Sequence, residues 1–128
     1  MQVIARIGML LALSGFLASC AASGMPRADH GPRAEVGLAS FYAHDYHRRR
    51  TASGAVYDEN ALTAAHPSLA FGARVRVTNT GNGRSVVVTI NDRGPFTGGR
   101  IIDVSYRAAR HLGFVREGIA RVQVEPLR

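Results

Sequence analysis

Two neighbouring stretches between residues 73 and 91 place the strongest limit on the fold. Apolar and polar side chains alternate over residues 73–79, and the alternation resumes over residues 84–91. The linking residues, Thr80-Gly81-Asn82-Gly83, are typical of tight turns. A period of two indicates a strand with one buried face, so the two stretches predict a β-hairpin. Its core side comprises Val75, Val77, Val86, Val88 and Ile90.

Other strands are predicted on either side of this hairpin. Residues 36–42 predict a first strand, and residues 118–124 predict a last strand whose apolar members are Ile119, Val122 and Val124. Residues 63–69 contain alanines, a proline and a serine, and predict a turn or a single helical turn.

A single helix is predicted near the C-terminus. Ser105 suits its N-cap and Gly113 its C-terminal end. Ala108, Ala109 and Leu112 would share its buried face. Several short strands and one helix within about 95 residues favour a small closed β-barrel over a layered α/β fold.

Composition limits the protein class. A chain of 128 residues is one domain of ordinary size, which excludes a multidomain enzyme. One cysteine excludes an internal disulfide and a cysteine-cluster zinc site. The 16 basic residues, all arginine, exceed the 9 acidic ones, for a formal charge of +7. Such a balance is common in nucleic-acid-binding proteins.

The N-terminus, however, predicts export. Residues 1–19 combine one arginine with an apolar stretch too short to span a membrane, and they have the pattern of a signal peptide. Leu17-Ala18-Ser19-Cys20 resembles the bacterial lipobox, in which the cysteine is acylated; an ordinary signal peptide with an incidental cysteine is the alternative. Residues 20–34 predict a lipidated flexible tether, and residues 35–128 the folded domain.

The predicted destination is the periplasm-facing surface of the outer membrane in a Gram-negative cell envelope. Ala21 stands where lipoproteins retained in the inner membrane carry an aspartate. Acylation of Cys20 would make the lipid membrane a binding partner. Export from the cytoplasm excludes nucleic acid as a binding partner.

Three stretches of the domain combine ionisable groups with glycine, proline or aromatic residues. They are Thr51-Ala52-Ser53-Gly54-Ala55-Val56-Tyr57-Asp58, Leu62-Thr63-Ala64-Ala65-His66 and Ile90-Asn91-Asp92-Arg93-Gly94-Pro95-Phe96. Asp92 ends the second hairpin strand just before a Gly-Pro turn, which predicts a carboxylate at the barrel rim. An aspartate that only caps the turn is the alternative.

Taken together, these stretches resemble the rare lipoprotein A family of bacterial lipoproteins. The resemblance also includes Gly37-Leu38-Ala39-Ser40-Phe41-Tyr42 and Gly99-Arg100-Ile101-Ile102-Asp103-Val104-Ser105, and it covers nearly the whole domain. It implies an all-β fold, a six-stranded double-psi β-barrel with one short helix. It further implies an endolytic lytic transglycosylase that cleaves the glycosidic bond after N-acetylmuramic acid in peptidoglycan and leaves a 1,6-anhydro end.

The resemblance also implies roles for individual residues. Asp92 would be the general acid and base, Asp58 an electrostatic or hydrogen-bonding partner, and His66 a substrate-positioning or pKa-setting group. Substrate contacts would come from Tyr42, Tyr57, Arg93 and Phe96, although each aromatic ring also suits the core and Arg93 also suits an ion pair with Asp92. Peptidoglycan glycan strands and cell-division or envelope proteins are the expected partners, with no cofactor and no metal.

One position departs from the family pattern. Active members resemble Gly-Glu-x-Tyr-Asp where this chain has Gly54-Ala55-Val56-Tyr57-Asp58. Ala55 therefore favours an alternative function, that of a noncatalytic peptidoglycan-binding or division-associated lipoprotein. A wall-loosening module like the barrel of expansins is a third hypothesis.

Overall fold

The computed structural model describes residues 33–128, so the predicted signal peptide, Cys20 and most of the tether lie outside the described residues. Six strands and one α-helix follow one another within residues 33–128. They are β1 (Glu35–Phe41), β2 (Thr63–Ala65), β3 (Arg74–Asn79), β4 (Ser85–Asp92), β5 (Arg100–Val104), α1 (Tyr106–Leu112) and β6 (Ala120–Pro126). A 3-10 turn, His44–Tyr46, follows β1.

The strands close into a barrel in the order β1-β5-β2-β4-β3-β6. β1 is parallel to β5 and β2 is parallel to β4, whereas the remaining neighbours are antiparallel. Closure pairs every strand on both sides and leaves no open edge. The prediction of an all-β, six-stranded barrel with one short helix is confirmed.

The predicted hairpin forms from β3 and β4. Val75 pairs with Val88 and Val77 with Val86, so side chains that the alternation assigns to the core lie opposite one another. Gly83 adopts a φ of 75° in the connecting turn, a conformation that suits glycine.

Helix α1 is bounded by the residues expected from the sequence. The Ser105 hydroxyl accepts a hydrogen bond from the Ala108 amide at 3.2 Å, and Gly113 closes the helix with a φ of 74°. Ala108, Ala109 and Leu112 are buried against the barrel. The predicted helix and its apolar face are confirmed.

Two local expectations are wrong. Residues 63–65 form the strand β2 and not a turn, because β4 and β5 pair with this segment from either side and tertiary pairing overrides a weak local preference. Ile119 is exposed and precedes β6, whose buried members are Val122 and Val124.

The core is built from valines, isoleucines and alanines of the strands together with one face of α1 and Phe114. Within residues 33–128, no helix is long and apolar enough to cross a membrane.

Candidate active site

A cleft of about 380 Å³ opens where β1, β2, β4 and β5 meet. Its lining comprises Ser40, Phe41, Tyr42, Ala43, Tyr46, Ala65, Asp92, Arg93, Arg100 and Asp103. The cleft therefore combines two carboxylates, two guanidinium groups and three aromatic rings.

Strand register aligns both carboxylates across the floor of the cleft. Ala65 of β2 pairs with Asp92 of β4 on one side and with Asp103 of β5 on the other. Asp103 in turn pairs with Ser40 of β1. Neighbouring strands lie about 4.8 Å apart, so two strand spacings put about 10 Å between the backbones of the two aspartates. Ala65, which is 2% exposed, lies between the two aspartates at the base of the cleft.

A β-bulge turns Asp92 toward the cleft. Ala64 pairs with Ile90 but the next residue, Ala65, pairs with Asp92, so the register skips Asn91. Without the skip, Asp92 would share the core face of Val88 and Ile90, because side chains alternate along a strand. Bulges commonly redirect a side chain beside a functional site.

A second bulge, between β1 and β5, turns Arg100 toward the cleft. Leu38 pairs with Arg100 and Ala39 with Ile102, so the register skips Ile101. Arg100 then faces the cleft, where its Nη1 donates to the Ser40 hydroxyl at 2.7 Å. Gly37 permits this arrangement, because a Cβ there would lie 2.6 Å from Cγ2 of Ile101.

Three donors converge on the Asp92 carboxylate. The Tyr42 hydroxyl donates to Oδ2 at 2.6 Å, and the backbone amides of Ala52 and Arg93 donate to Oδ1 at 2.8 and 2.9 Å. Burial, followed by the hydrogen bond to Asp92, raises the pKa of Tyr42 far above its ordinary value of 10.0. The phenol therefore stays protonated at neutral pH and acts as a donor to the carboxylate.

The loop after the 3-10 turn is held against β4 by the same contacts. Besides the Ala52 amide, the Ser53 amide donates to the Asn91 carbonyl at 3.2 Å. Gly54 turns the loop with a φ of 88°, and the Thr51 hydroxyl donates to the Ala55 carbonyl at 2.8 Å. The loop thus connects the Thr-Ala-Ser-Gly stretch to the carboxylate that the sequence singles out.

Asp103 has its own set of partners. The Ser40 hydroxyl donates to Oδ1 of Asp103 at 2.5 Å, and Nη1 of Arg100 lies 3.5 Å from the same oxygen. The helix start is capped by Ser105, and Asp103 lines the cleft.

Asp58 lies apart from Asp92. Its carboxylate is exposed, accepts a hydrogen bond from the Asn60 amide at 2.8 Å and does not line the cleft. The expected partnership of Asp58 with Asp92 is therefore not seen, and Asp103 is the carboxylate that shares the cleft with Asp92.

His66 is close to Asp92 only through its backbone. Its amide donates to the Asp92 carbonyl at 3.2 Å, but its ring is buried away from the cleft lining. Nδ1 accepts from the amides of Ser68 and Leu69, each at 3.1 Å, so the ring proton is on Nε2, which donates to Glu35 at 3.0 Å. This geometry makes His66 a structural support for the chain after β2.

Arg93 lines the cleft but does not pair with the Asp92 carboxylate through its guanidinium. Nη1 donates to the backbone carbonyls of His66 and Leu69, at 3.1 and 2.5 Å. The guanidinium also lies 4.1 Å from the centre of the Phe71 ring. Arg93 therefore fixes the chain that follows β2.

The expected sugar-stacking rings fall into different environments. Tyr57 is 2% exposed and its hydroxyl accepts from the Tyr106 amide, so its ring lies in the core, which is the alternative that the sequence leaves open. Tyr57 instead packs against Tyr42, with 4.5 Å between ring centres. Phe96 is 79% exposed on the loop after β4, outside the cleft lining.

Tyr46 is a cleft residue that sequence reasoning missed. It is 46% exposed, lines the cleft and lies 5.8 Å from the Tyr42 ring, centre to centre. The 3-10 turn that brings Tyr46 to the cleft leaves no periodic signal, because it has only three residues.

Several known proteins are similar to this chain. A family model described as lytic transglycolase matches residues 34–124. A probable endolytic peptidoglycan transglycosylase RlpA from Synechocystis is 56% identical over 93 residues, which is 73% of this chain and 29% of that protein. The endolytic peptidoglycan transglycosylase RlpA of Neisseria meningitidis serogroup A is 55% identical over 73% of this chain and 39% of its own length. The chain thus spans about a third of the length of these relatives.

Solved structures support the fold. Streptomyces papain inhibitor superposes with a TM-score of 0.62 at 21% identity, over 76% of this chain and 96% of its own. An expansin of Clavibacter michiganensis, solved in complex with cellohexaose, gives 0.61 at 20% identity, over 75% of this chain and 51% of its own. The matched family and the closed six-stranded barrel confirm the double-psi β-barrel that the sequence predicts. The chain belongs to the RlpA-like lytic transglycosylase family.

Proposed function

We propose that this protein is an endolytic lytic transglycosylase that cleaves the bond between N-acetylmuramic acid and N-acetylglucosamine in peptidoglycan and forms 1,6-anhydro ends. The observation that supports it most directly is Asp92, whose carboxylate faces the cleft and receives hydrogen bonds from Tyr42, Ala52 and Arg93. Relatives 55 to 56% identical over this domain carry the matching activity in their names.

The proposed reaction needs one acid that is regenerated. In the proposed cycle, the acid form of Asp92 gives its proton to the leaving glycosidic oxygen as an oxocarbenium-like centre develops. The resulting carboxylate then takes the proton of the sugar's own 6-hydroxyl, whose oxygen closes the anhydro ring. The proton given to the leaving oxygen is replaced by the proton of the 6-hydroxyl, so the acid is regenerated and no water is consumed. The three donors stabilise the carboxylate that forms in the first step and so favour the proton transfer.

Asp103 takes the place that sequence reasoning gave to Asp58. It lies two strands away from Asp92, with Ala65 between them, so its charge faces a sugar bound above Ala65 from the other side. Ser40 and Arg100 fix its carboxylate. We assign it the electrostatic stabilisation of the positively charged sugar ring.

A noncatalytic glycan-binding protein is the second candidate, and Ala55 favours it. Ala55 is exposed on the loop that donates to Asp92, and no carboxylate side chain stands at this position. Full-length protein incubated with sacculi and with stem-stripped glycan strands separates the candidates when fragments are analysed by mass spectrometry. Anhydro-ended fragments support the enzyme. If only Ala55→Glu releases such fragments, the result supports the binding protein. If neither the unaltered protein nor Ala55→Glu releases them, the enzyme is excluded.

The location stays a proposal drawn from the sequence. We propose acylation at Cys20 and anchoring to the outer membrane, supported by the segment Leu17-Ala18-Ser19-Cys20. Cys20→Ala should release the protein from the membrane fraction, and its retention on the outer membrane would contradict the anchor.

A further inference from the structure

A second cavity, of about 530 Å³, lies at the other end of β4 from Asp92. Arg84, Arg107, Arg110 and His111 line it. Arg84 precedes β4 and Asp92 ends it, so eight residues separate them. At about 3.3 Å per residue, the two are about 26 Å apart. This cavity, hereafter the arginine cavity, is therefore distinct from the cleft.

Uncharged groups hold these arginines in place. Nη1 of Arg107 donates to the Asn60 carbonyl at 3.0 Å, and the Arg110 guanidinium lies 6.0 Å from the Tyr106 ring centre. Nη1 of Arg84 rests against Gly113, 2.6 Å from where a Cβ would stand. None of the three forms an ion pair within residues 33–128, and no acidic residue lines the cavity.

The needs of helix α1 do not explain this concentration of charge. Arg107 and Arg110 are three residues apart on one exposed face, where like charges repel. Arg110 and His111 at the C-terminal turn suit the helix dipole, but Arg107 lies in the first turn, where a cation is unfavourable. An anion bound between the three guanidinium groups would offset both costs.

The charge of the cavity indicates which class of anion would bind there. Three guanidinium groups carry three positive charges, and a carboxylate offsets only one of them. A phosphate group carries about 1.5 to 2 negative charges and accepts paired N–H bonds from arginine. We propose that the arginine cavity is a binding site for a ligand with two or more phosphate groups. Such phosphates come from a soluble diphosphate or from a phospholipid headgroup.

Calorimetric titration of the full-length protein with inorganic phosphate, diphosphate and citrate tests the site. Diphosphate should bind at least about tenfold more tightly than phosphate, because it carries more negative charge. It should also bind at least about tenfold more tightly than citrate, whose comparable charge is spread over three separate carboxylates. The triple variant Arg84→Gln, Arg107→Gln, Arg110→Gln should weaken diphosphate binding by at least about tenfold. Circular dichroism and thermal unfolding establish that the variant is folded.

A matched variant separates a site from diffuse charge. Arg74→Gln, Arg116→Gln, Arg121→Gln removes the same charge from exposed positions outside the cavity and should bind diphosphate as the unaltered protein does. Equal weakening in both triple variants, no diphosphate binding, or equal binding of citrate would each overturn the proposal.

Binding to vesicles shows whether the phosphates belong to a lipid headgroup or to a soluble ligand. Phosphatidylcholine vesicles are compared with and without cardiolipin, whose headgroup carries two phosphates. A cardiolipin-dependent gain in binding that only the arginine-cavity variant loses assigns the lipid headgroup. Diphosphate binding without that gain assigns a soluble ligand. Because every readout is binding, the result is independent of whether glycan cleavage is observed.

Discussion

The Tyr42 hydroxyl donates a hydrogen bond of 2.6 Å to Oδ2 of Asp92. This contact joins the residue that follows β1 to the last residue of β4, 50 positions away along the chain. Because the phenol stays protonated, it is a fixed donor to whatever charge develops on Asp92.

Replacing Tyr42 by phenylalanine should lower the rate of anhydro-product formation. A hydrogen bond to a charged group is worth about 1.5 to 3 kcal/mol, which corresponds to roughly 10- to 100-fold in rate. Timed digestion of glycan strands by Tyr42→Phe measures this, with Tyr46→Phe as the matched loss of a hydroxyl in the same cleft. An unchanged rate in Tyr42→Phe would exclude the hydroxyl from the mechanism.

Stability should fall at alkaline pH because of Tyr42 and Tyr57. Burial is the largest cause that raises the pKa of both Tyr42 and Tyr57 above 10.0. The unfolded chain therefore releases these protons first, and the free energy of unfolding decreases as pH rises above about 10. Denaturant titrations between pH 8 and pH 11 should show a shallower decrease for Tyr42→Phe than for the unaltered protein. Equal slopes would contradict this linkage.

Substitutions of the two candidate partners of Asp92, Asp103 and Asp58, should have different effects on activity. Asp103→Asn should lower the rate of glycan cleavage by at least about tenfold, because it removes a charge that faces the bound sugar. Asp58→Asn should keep nearly the full rate, since Asp58 is exposed and lies outside the cleft lining. Comparing the two variants in one digestion assay decides between them, and the reverse order of effects would restore the role expected for Asp58.

Gly37 should be required for the bulge that presents Arg100. A methyl group at this position would lie 2.6 Å from Cγ2 of Ile101, and overpacking of this kind costs about 1 to 3 kcal/mol. Gly37→Ala should therefore lower the free energy of unfolding measured by denaturant titration. Gly98→Ala is the control, because a Cβ there meets nothing within 4 Å. Equal stability of the two variants would argue against the close approach.

The hairpin and the helix could be predicted from sequence because their signals are local. Val75 and Val77 alternate with polar residues, and Ser105 and Gly113 bound the helix. Strand β2 could not be predicted in this way, because three residues are too few to show a period of two. Its pairing with β4 and β5 makes it a strand.

Only one of the two cleft carboxylates, Asp92, could be predicted from the sequence, because the position of the other depends on contacts that are not local. Asp92 at the end of a patterned strand was expected at the barrel rim, but its partner depends on which residues of β4 and β5 meet at Ala65. The bulge at Asn91 also breaks the alternation that would have turned Asp92 to the core. Neither the long-range register nor the bulge leaves a mark in the local sequence.

The most direct test of the account is the digestion of stem-stripped glycan strands by the full-length protein and by Asp92→Asn, with fragments identified by mass spectrometry. The unaltered protein should release 1,6-anhydro-ended fragments. Asp92→Asn keeps the shape of the side chain but cannot exchange the proton, so the rate should fall by about 10² to 10⁴-fold. Anhydro-ended fragments released at an undiminished rate by Asp92→Asn would contradict the assignment of Asp92 as the acid and base.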